Sequence, residues 1–471
     1  MTRKPLRLFS LAMINLAAIG AVKNWPVTAV FGLSSVFYLL LAAIIFLIPV
    51  GLVAAELATG WPKAGGVFAW VKEAFGHRTG FLAIWLVWIQ NVLWYPTVLS
   101  FISATVAYFF DPALAENNVF LFCCMVSLFW LMTLANCFGI KISSRISTIG
   151  VIFGTFIAGL IIICLGIAWF MSGKPLQITF NWASAIPSFT SPDQVVFFTG
   201  VILTLCGLEM SAIYAKDVEN PQKNYPKAIF LSVSLILGLS LLGVLAIASI
   251  VPQDKISLTA GSLQAFSYFI EPYNQKWMLP SMAALVGLGA IGSLSTWILG
   301  PSRGLLEAAR NGELPPICRK HNRHGVPTFM LFLQAIIVTV LSTLFLFTPS
   351  INNAYFLILI ITAQLYLITY TLMFSAAIRL RYTQPDTPRT YKVPGGKFGM
   401  WFWAGIGIFA CLLSFFVGFF PPEQLPMSRP IFYVLFLVVG IVLACLMPSI
   451  ILLFQKEKWK HPLAHEKNKD L

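Results

Sequence analysis

Long apolar stretches make up most of this chain, and its polar residues gather in short interruptions between them. A helix that crosses the hydrocarbon of a bilayer needs about 20 mainly apolar residues. By that measure crossings are predicted at 7–31, 35–58, 79–109, 119–138, 145–171, 193–215, 226–251, 277–306, 327–348, 353–380, 400–420 and 430–454. Twelve crossings return both ends of the chain to one side. The segment Gly65–Gly76 (GGVFAWVKEAFG) is too short to span and is predicted as an interfacial helix, and 386–398 (DTPRTYKVPGGKF) as a polar loop. The chain then divides into an N-terminal segment 1–6, a block 7–171 with helices 1–5, a block 193–380 with helices 6–10, a final pair at 400–454, and a tail 455–471. The expected fold is an all-α, multi-pass membrane protein.

Charge supplies an independent check on the count. With the N-terminus in the cytoplasm, 26 of the 31 Lys and Arg fall on that side, four (Lys174, Lys255, Lys276, Arg429) on the other, and Lys23 within helix 1. Basic residues accumulate in cytoplasmic loops, and one miscounted helix would swap the side of every later loop. Both termini are therefore expected in the cytoplasm of a cell inner membrane. Apolar residues are 58% of the 471 and charged residues 10%, against about half and about a quarter in soluble domains. The net charge of +14 is orientation charge rather than a nucleic-acid footprint. The eight cysteines lie mostly inside apolar runs, without CxxC or Cys/His spacing, so neither disulfide nor metal is expected. The apolar run after the basic start is too long for a signal-peptide core and is taken as a retained first helix. No GxxxxGK[ST] loop is present, which argues against direct ATP drive, and no catalytic constellation or cofactor site emerges.

The candidate site lies where helices are interrupted. Helix 1 carries Gly20 and Pro26 about Lys23, and helix 6 carries Gly207 beside Glu209. These are the first helices of the two five-helix blocks, and matched interruptions in two halves point to a transport site near the midplane. Lys23, Glu56 and Glu209 are the ionisable residues that fall clearly within predicted helices rather than at their ends, and an unpartnered charge at a helix centre costs at least about 2.5–3.5 kcal/mol. Lys23 has three readings: it neutralises a substrate carboxylate or couples protons, it snorkels outward, or it pairs with an acid such as Glu209. Glu209 is expected to tie helix 6 to a neighbour, and Glu56 to be a hydrogen-bonding group between helices. Polar candidates along the path are Gln90, Asn91 and Tyr95, then Ser293, Ser295 and Thr296, then Thr362, Gln364, Tyr366 and Tyr370. Trp25 and Trp297, with Tyr366, are bulky enough to gate a narrow path.

Several of these stretches resemble the amino acid–polyamine–organocation superfamily. They are Phe46-Leu-Ile-Pro-Val-Gly-Leu-Val-Ala-Ala-Glu-Leu-Ala-Thr59, Gly65-Gly-Val-Phe-Ala-Trp-Val71, Gly207-Leu-Glu209 with Glu219-Asn-Pro221 and Tyr225-Pro226-Lys-Ala228, and Trp297-Ile-Leu-Gly-Pro-Ser-Arg-Gly304. With Asn322, Gly325-Val-Pro327 and Val393-Pro-Gly-Gly-Lys397, the chain is most similar to the superfamily's glutamate/γ-aminobutyrate antiporters. The resemblance implies a five-plus-five inverted repeat with two added helices and alternating-access exchange of amino acids. It implies substrate binding by the backbone at Ile19, Gly20, Ala21 and Val22 and at Cys206, Gly207, Leu208 and Glu209; Lys23, Ser293 and Tyr366 are this chain's own candidate side chains for the same site. The chain departs from the antiporter pattern at Lys23-Asn24, where an aromatic-acidic pair stands, near Ser293, where an acid stands, and in its shorter tail.

The function expected is amino acid exchange of the glutamate/γ-aminobutyrate type, with amino acids and the lipid bilayer as partners. A proton- or sodium-coupled symporter, using Ser295 and Thr296 as sodium ligands, is one alternative; a non-transporting membrane receptor or subunit is another. The sequence leaves the oligomeric state open.

Overall fold

A computed structural model of the protein describes residues 8–62, 65–187, 192–209, 219–275, 277–348, 350–420 and 430–459. The N-terminal segment 1–6, Arg429, and most of the tail, with His461 and His465, lie outside the described residues, as do residues 210–215 of predicted helix 6. The described chain is helical, without β-strands.

Among the described residues, ten helices are long and apolar enough to cross a membrane. They are α3 (Gly32–Gly60), α5 (His77–Phe110), α6 (Asn118–Cys137), the continuous pair α7 (Ile140–Gly150) and α8 (Ala158–Met171), α10 (Pro221–Ile250), α12 (Met278–Arg310), α13 (Thr328–Ser342 and its extension to Phe347), α14 (Ile351–Thr383), α15 (Gly396–Val417) and α16 (Pro430–Leu453). Predicted crossings 1 and 6 are not continuous helices. Crossing 1 is α1 (Leu8–Ile19), a break, and α2 (Trp25–Ala29); the described part of crossing 6 is α9 (Pro192–Thr204) and a non-helical end.

Long apolar helices in lipid gain little from hiding apolar surface, so close packing and polar contacts decide which lie inside. In α14, 83% of the most apolar window is buried, and in α5 and α12 72%, against 22% in α16. The first three therefore form the centre of the bundle, and α16 faces the lipid position. Glycines set the tightest approach: a Cβ on Gly154 would lie 2.1 Å from the Gly289 Cα, and one on Gly150 2.7 Å from the Gly292 Cα. Beside that seam Ser143 and Ser295 hydroxyls are 2.9 Å apart, and those of Ser147 and Thr296 2.7 Å.

The segment predicted to lie at the interface forms α4 (Val67–Phe75), which ends at Gly76 in the left-handed region (φ 88°). Its Val67, Phe68, Trp70 and Val71 are buried, and Trp70 Nε1 donates to the Trp61 carbonyl at 3.2 Å. It is packed onto the end of the bundle.

The segment expected as a polar loop is non-helical up to the start of α15 at Gly396, and it is tied to the bundle. Glu56, on α3, is the hub of a buried ionic cluster rather than a simple hydrogen-bonding group between helices. Arg381 donates to it through Nε (2.6 Å) and Nη2 (2.5 Å), Arg389 through Nη1 (2.9 Å), and the Val393 N–H at 2.7 Å. The segment 384–393 is thereby strapped across the end of α3. Arg381, at the end of α14, and Arg389, in the strap, meet a partner more than 300 positions away in sequence.

Candidate functional site

The break in crossing 1 begins where α1 stops at Ile19. Ala21 is extended (φ −70°, ψ 135°), and Val22–Asn24 form one tight 3₁₀ turn before α2. Proline has no N–H to donate to the carbonyl four residues back, so Pro26 cannot serve Val22. That carbonyl instead accepts from the Trp25 N–H and from Ser262 Oγ at 3.0 Å. Asn24 Nδ2 donates to the freed Ile19 carbonyl at 2.9 Å. One of the carbonyls orphaned at the end of α1, that of Ile19, is thus met by a side chain.

The second break follows α9. Its last turn tightens, with Leu205 N–H bonded to the Ile202 carbonyl and Cys206 N–H to that of Leu203. Gly207 then takes φ +120°, where a Cβ is strained, and such an atom would lie 3.0 Å from the Trp297 ring. Only glycine suits both demands. The Gly207 N–H donates to Tyr370 Oη at 2.8 Å. Tyr370 donates in turn to Glu209 Oε2 at 2.5 Å, and Tyr366 to Glu209 Oε1. The two tyrosines stand one helical turn apart on α14, so one helix face holds both oxygens of the buried carboxylate. Glu209 therefore ties crossing 6 to a neighbour, as its position in sequence implies. Asn24 Nδ2 lies 3.5 Å from the Thr204 carbonyl and bridges the two breaks.

Between the breaks is a cavity lined by polar groups from three directions: Lys23 and Asn24, then Gln90 and Asn91 on α5, then Thr204 and Cys206, with Trp94, Trp297 and Tyr366 closing it. The Lys23 ammonium donates to Asn24 Oδ1 at 3.2 Å and sits 4.4 Å above the Trp94 ring. It makes no ion pair with Glu209. Trp94 meets Trp297 edge-on at 5.8 Å, and Tyr95 Oη donates to the Trp297 carbonyl at 3.0 Å.

Of the residues singled out in the sequence, Lys23, Gln90, Asn91, Cys206, Trp297 and Tyr366 are brought to this cavity. Ile19, Gly20, Ala21, Val22, Gly207, Leu208 and Glu209 lie in the two broken segments behind its wall. Ser293 is buried away from it, and Trp25 is sunk against Gly159 and Gly243. Ser295 and Thr296, candidate sodium ligands, have their hydroxyls engaged by Ser143 and Ser147. Trp94 was absent from the sequence candidates, although it lies four and three residues beyond Gln90 and Asn91, on the same helix face.

The family model described as "Amino acid permease" matches residues 6–443. The chain is 44% identical over 449 residues (95% of it and 96% of the relative) to an uncharacterized transporter of Legionella pneumophila. It is 34% identical over 457 residues to a glutamate/gamma-aminobutyrate antiporter of Lactococcus lactis, covering 96% of this chain and 91% of that one. A cadaverine/lysine antiporter of Escherichia coli is 26% identical over 340 residues, 70% of this chain and 69% of that protein.

Proposed function

The chain belongs to the amino acid permease family and is a membrane transporter, and from that premise we propose that it is an antiporter exchanging amino acids by alternating access, with glutamate and γ-aminobutyrate as its substrate pair. The observation that carries this reading is the pair of helix breaks facing one cavity. Free N–H groups at a break suit a carboxylate, and free C=O groups suit an ammonium. The proposed binding backbone is Ile19–Val22 and Cys206–Glu209, with Lys23 and Tyr366 on the cavity wall, Ser293 behind it, and Trp297 as a gating ring.

Adding the two broken crossings to the ten continuous spans gives the proposed twelve. Blocks 7–171 and 193–380 are then inverted repeats, and 400–454 the added pair. The charge asymmetry supports cytoplasmic termini in an inner membrane. The antiporters among the relatives support exchange, and the engaged Ser295 and Thr296 hydroxyls weigh against a sodium-coupled symporter.

Purified protein in liposomes loaded with γ-aminobutyrate should take up labelled glutamate without sodium, and not when the liposomes are empty. Uptake that requires sodium and no internal amino acid would establish a symporter instead. Binding without flux would establish a receptor.

A further inference from the structure

The cavity wall holds one formal charge. Among its lining residues, Lys23 alone carries an ionisable acidic or basic side chain of the Asp, Glu, Lys or Arg type. The nearest acid in the broken segments, Glu209, has both oxygens taken by Tyr366 and Tyr370. No ion pair joins it to Lys23 among the described residues.

One hydrogen bond and one aromatic face are the contacts that the surroundings give the Lys23 head group. An ammonium has three N–H donors, and one of these is used, on Asn24 Oδ1 at 3.2 Å. The Trp94 face, 4.4 Å from Nζ, favours a cation without neutralising it. The side chain is only 7% exposed. A buried charge of this kind is stabilised strongly by an anion that arrives with the ligand. A zwitterionic amino acid brings no net charge, and the pocket stays cationic after it binds. An amino acid with a second carboxylate brings the site to neutrality.

We infer that Lys23 is the specificity-determining residue of this pocket, binding the side-chain carboxylate of an acidic amino acid and selecting substrates of net negative charge. The inference rests on the reading of the breaks as an amino-acid site, which gives the substrate's α-carboxylate and α-ammonium to the broken backbone and leaves Lys23 for the remaining group. Asn24, Gln90 and Asn91 are neutral partners for the same carboxylate. The mono-carboxylate member of an exchange pair then binds more weakly and leaves the site more readily.

Glutamate and glutamine test this, being close in shape and different in charge. In liposomes, unlabelled glutamate should displace labelled glutamate from the wild-type protein at concentrations about ten- to a hundredfold below those needed for glutamine, the span expected of one charge-assisted bond. Lys23→Met should reduce that ratio to near one by weakening glutamate alone, and Lys23→Arg should retain much of it. Equal potency of the two amino acids on the wild type would overturn the inference without need of a variant. So would a Lys23→Met protein that loses both amino acids in proportion, since Lys23 would then serve the α-carboxylate common to all. Quenching of tryptophan fluorescence by glutamate and glutamine separates this from the exchange reading. A charge-selective binding ratio with no flux would sink exchange and leave the role of Lys23 intact, whereas exchange without selectivity would do the reverse.

Discussion

At the scale of single residues, the second break depends on one atom that is missing and one hydroxyl that is shared. Gly207 combines φ +120° with a Trp297 ring that would sit 3.0 Å from a Cβ. Backbone strain of this type costs about 1–3 kcal/mol, and relief would displace the cavity wall. Gly207→Ala is expected to reach the membrane in normal amount and to exchange amino acids at least about tenfold more slowly; normal exchange would remove the second break from the site. The tyrosines differ in a testable way. Tyr370 accepts from Gly207 N–H and donates to Glu209, whereas Tyr366 contacts Glu209 without that backbone link. Leaving a buried group unsatisfied costs about 1–3 kcal/mol, so Tyr370→Phe should impair exchange more than Tyr366→Phe. The reverse order, measured as initial rates at matched protein density, would show that the break is held by other contacts.

At the scale of elements, two acidic residues show how loops are fastened to the bundle. Glu56 gathers Arg381, Arg389 and the Val393 N–H at the end of α3. Removing one side of a buried ion pair costs about 3–5 kcal/mol because the other charge stays buried. Glu56→Gln strands two guanidiniums and should lower the midpoint of thermal unfolding in detergent clearly, while Arg389→Lys should have an intermediate effect. An unchanged midpoint in Glu56→Gln would mean that the strap adds nothing to stability. Glu313, in the connection after α12, is the second. Both its carboxylate oxygens are buried without a hydrogen-bond partner among the described residues, with His77 Nδ1 at 3.5 Å. Burial pushes this carboxyl from its ordinary 4.5 up to about 7, against the opposing pull of Lys72. The folded state therefore holds the proton more tightly than the unfolded chain does. The stability this contributes is full below about 4.5 and is lost as the pH rises through about 7. Glu313→Gln cannot ionise, so its thermal midpoint should gain on the wild type between about pH 5 and about pH 8. Parallel profiles for the two proteins would show that Glu313 does not titrate in this range.

At the scale of the whole molecule, the arrangement of crossings is tested by sidedness. By the basic-residue asymmetry, the 307–326 connection is expected in the cytoplasm and the 252–260 connection outside, with α11 (Gly261–Ile270) following the latter. Single cysteines at Lys320 and Lys255, in a background with the native cysteines removed, should react with a membrane-impermeant reagent from opposite sides. Reaction from the same side would end the proposal of twelve crossings. The burial gradient from α14 to α16 assigns roles across the bundle: the inner helices carry the cavity wall, and the outer ones present apolar side chains to lipid.

The apolar runs, their lengths and the distribution of Lys and Arg determined by themselves that this chain is a helical, multi-pass membrane protein. Each of those signals is local, since a helix satisfies its own backbone and about 20 apolar residues suffice to cross. The two interruptions were also legible, because Gly20, Pro26 and Gly207 act on the backbone where they stand. Only the tertiary structure decided the partners of the charges. Lys23 meets Trp94 rather than Glu209, Glu209 meets Tyr366 and Tyr370, and Glu56 meets Arg389 across 333 positions. Trp25, large and close to the break, turned away into the Gly159–Gly243 notch, while Trp94, overlooked in the sequence, closed the cavity. Such outcomes depend on which helix faces come together, and hydrophobic length carries no information about the rotation of one long helix against another.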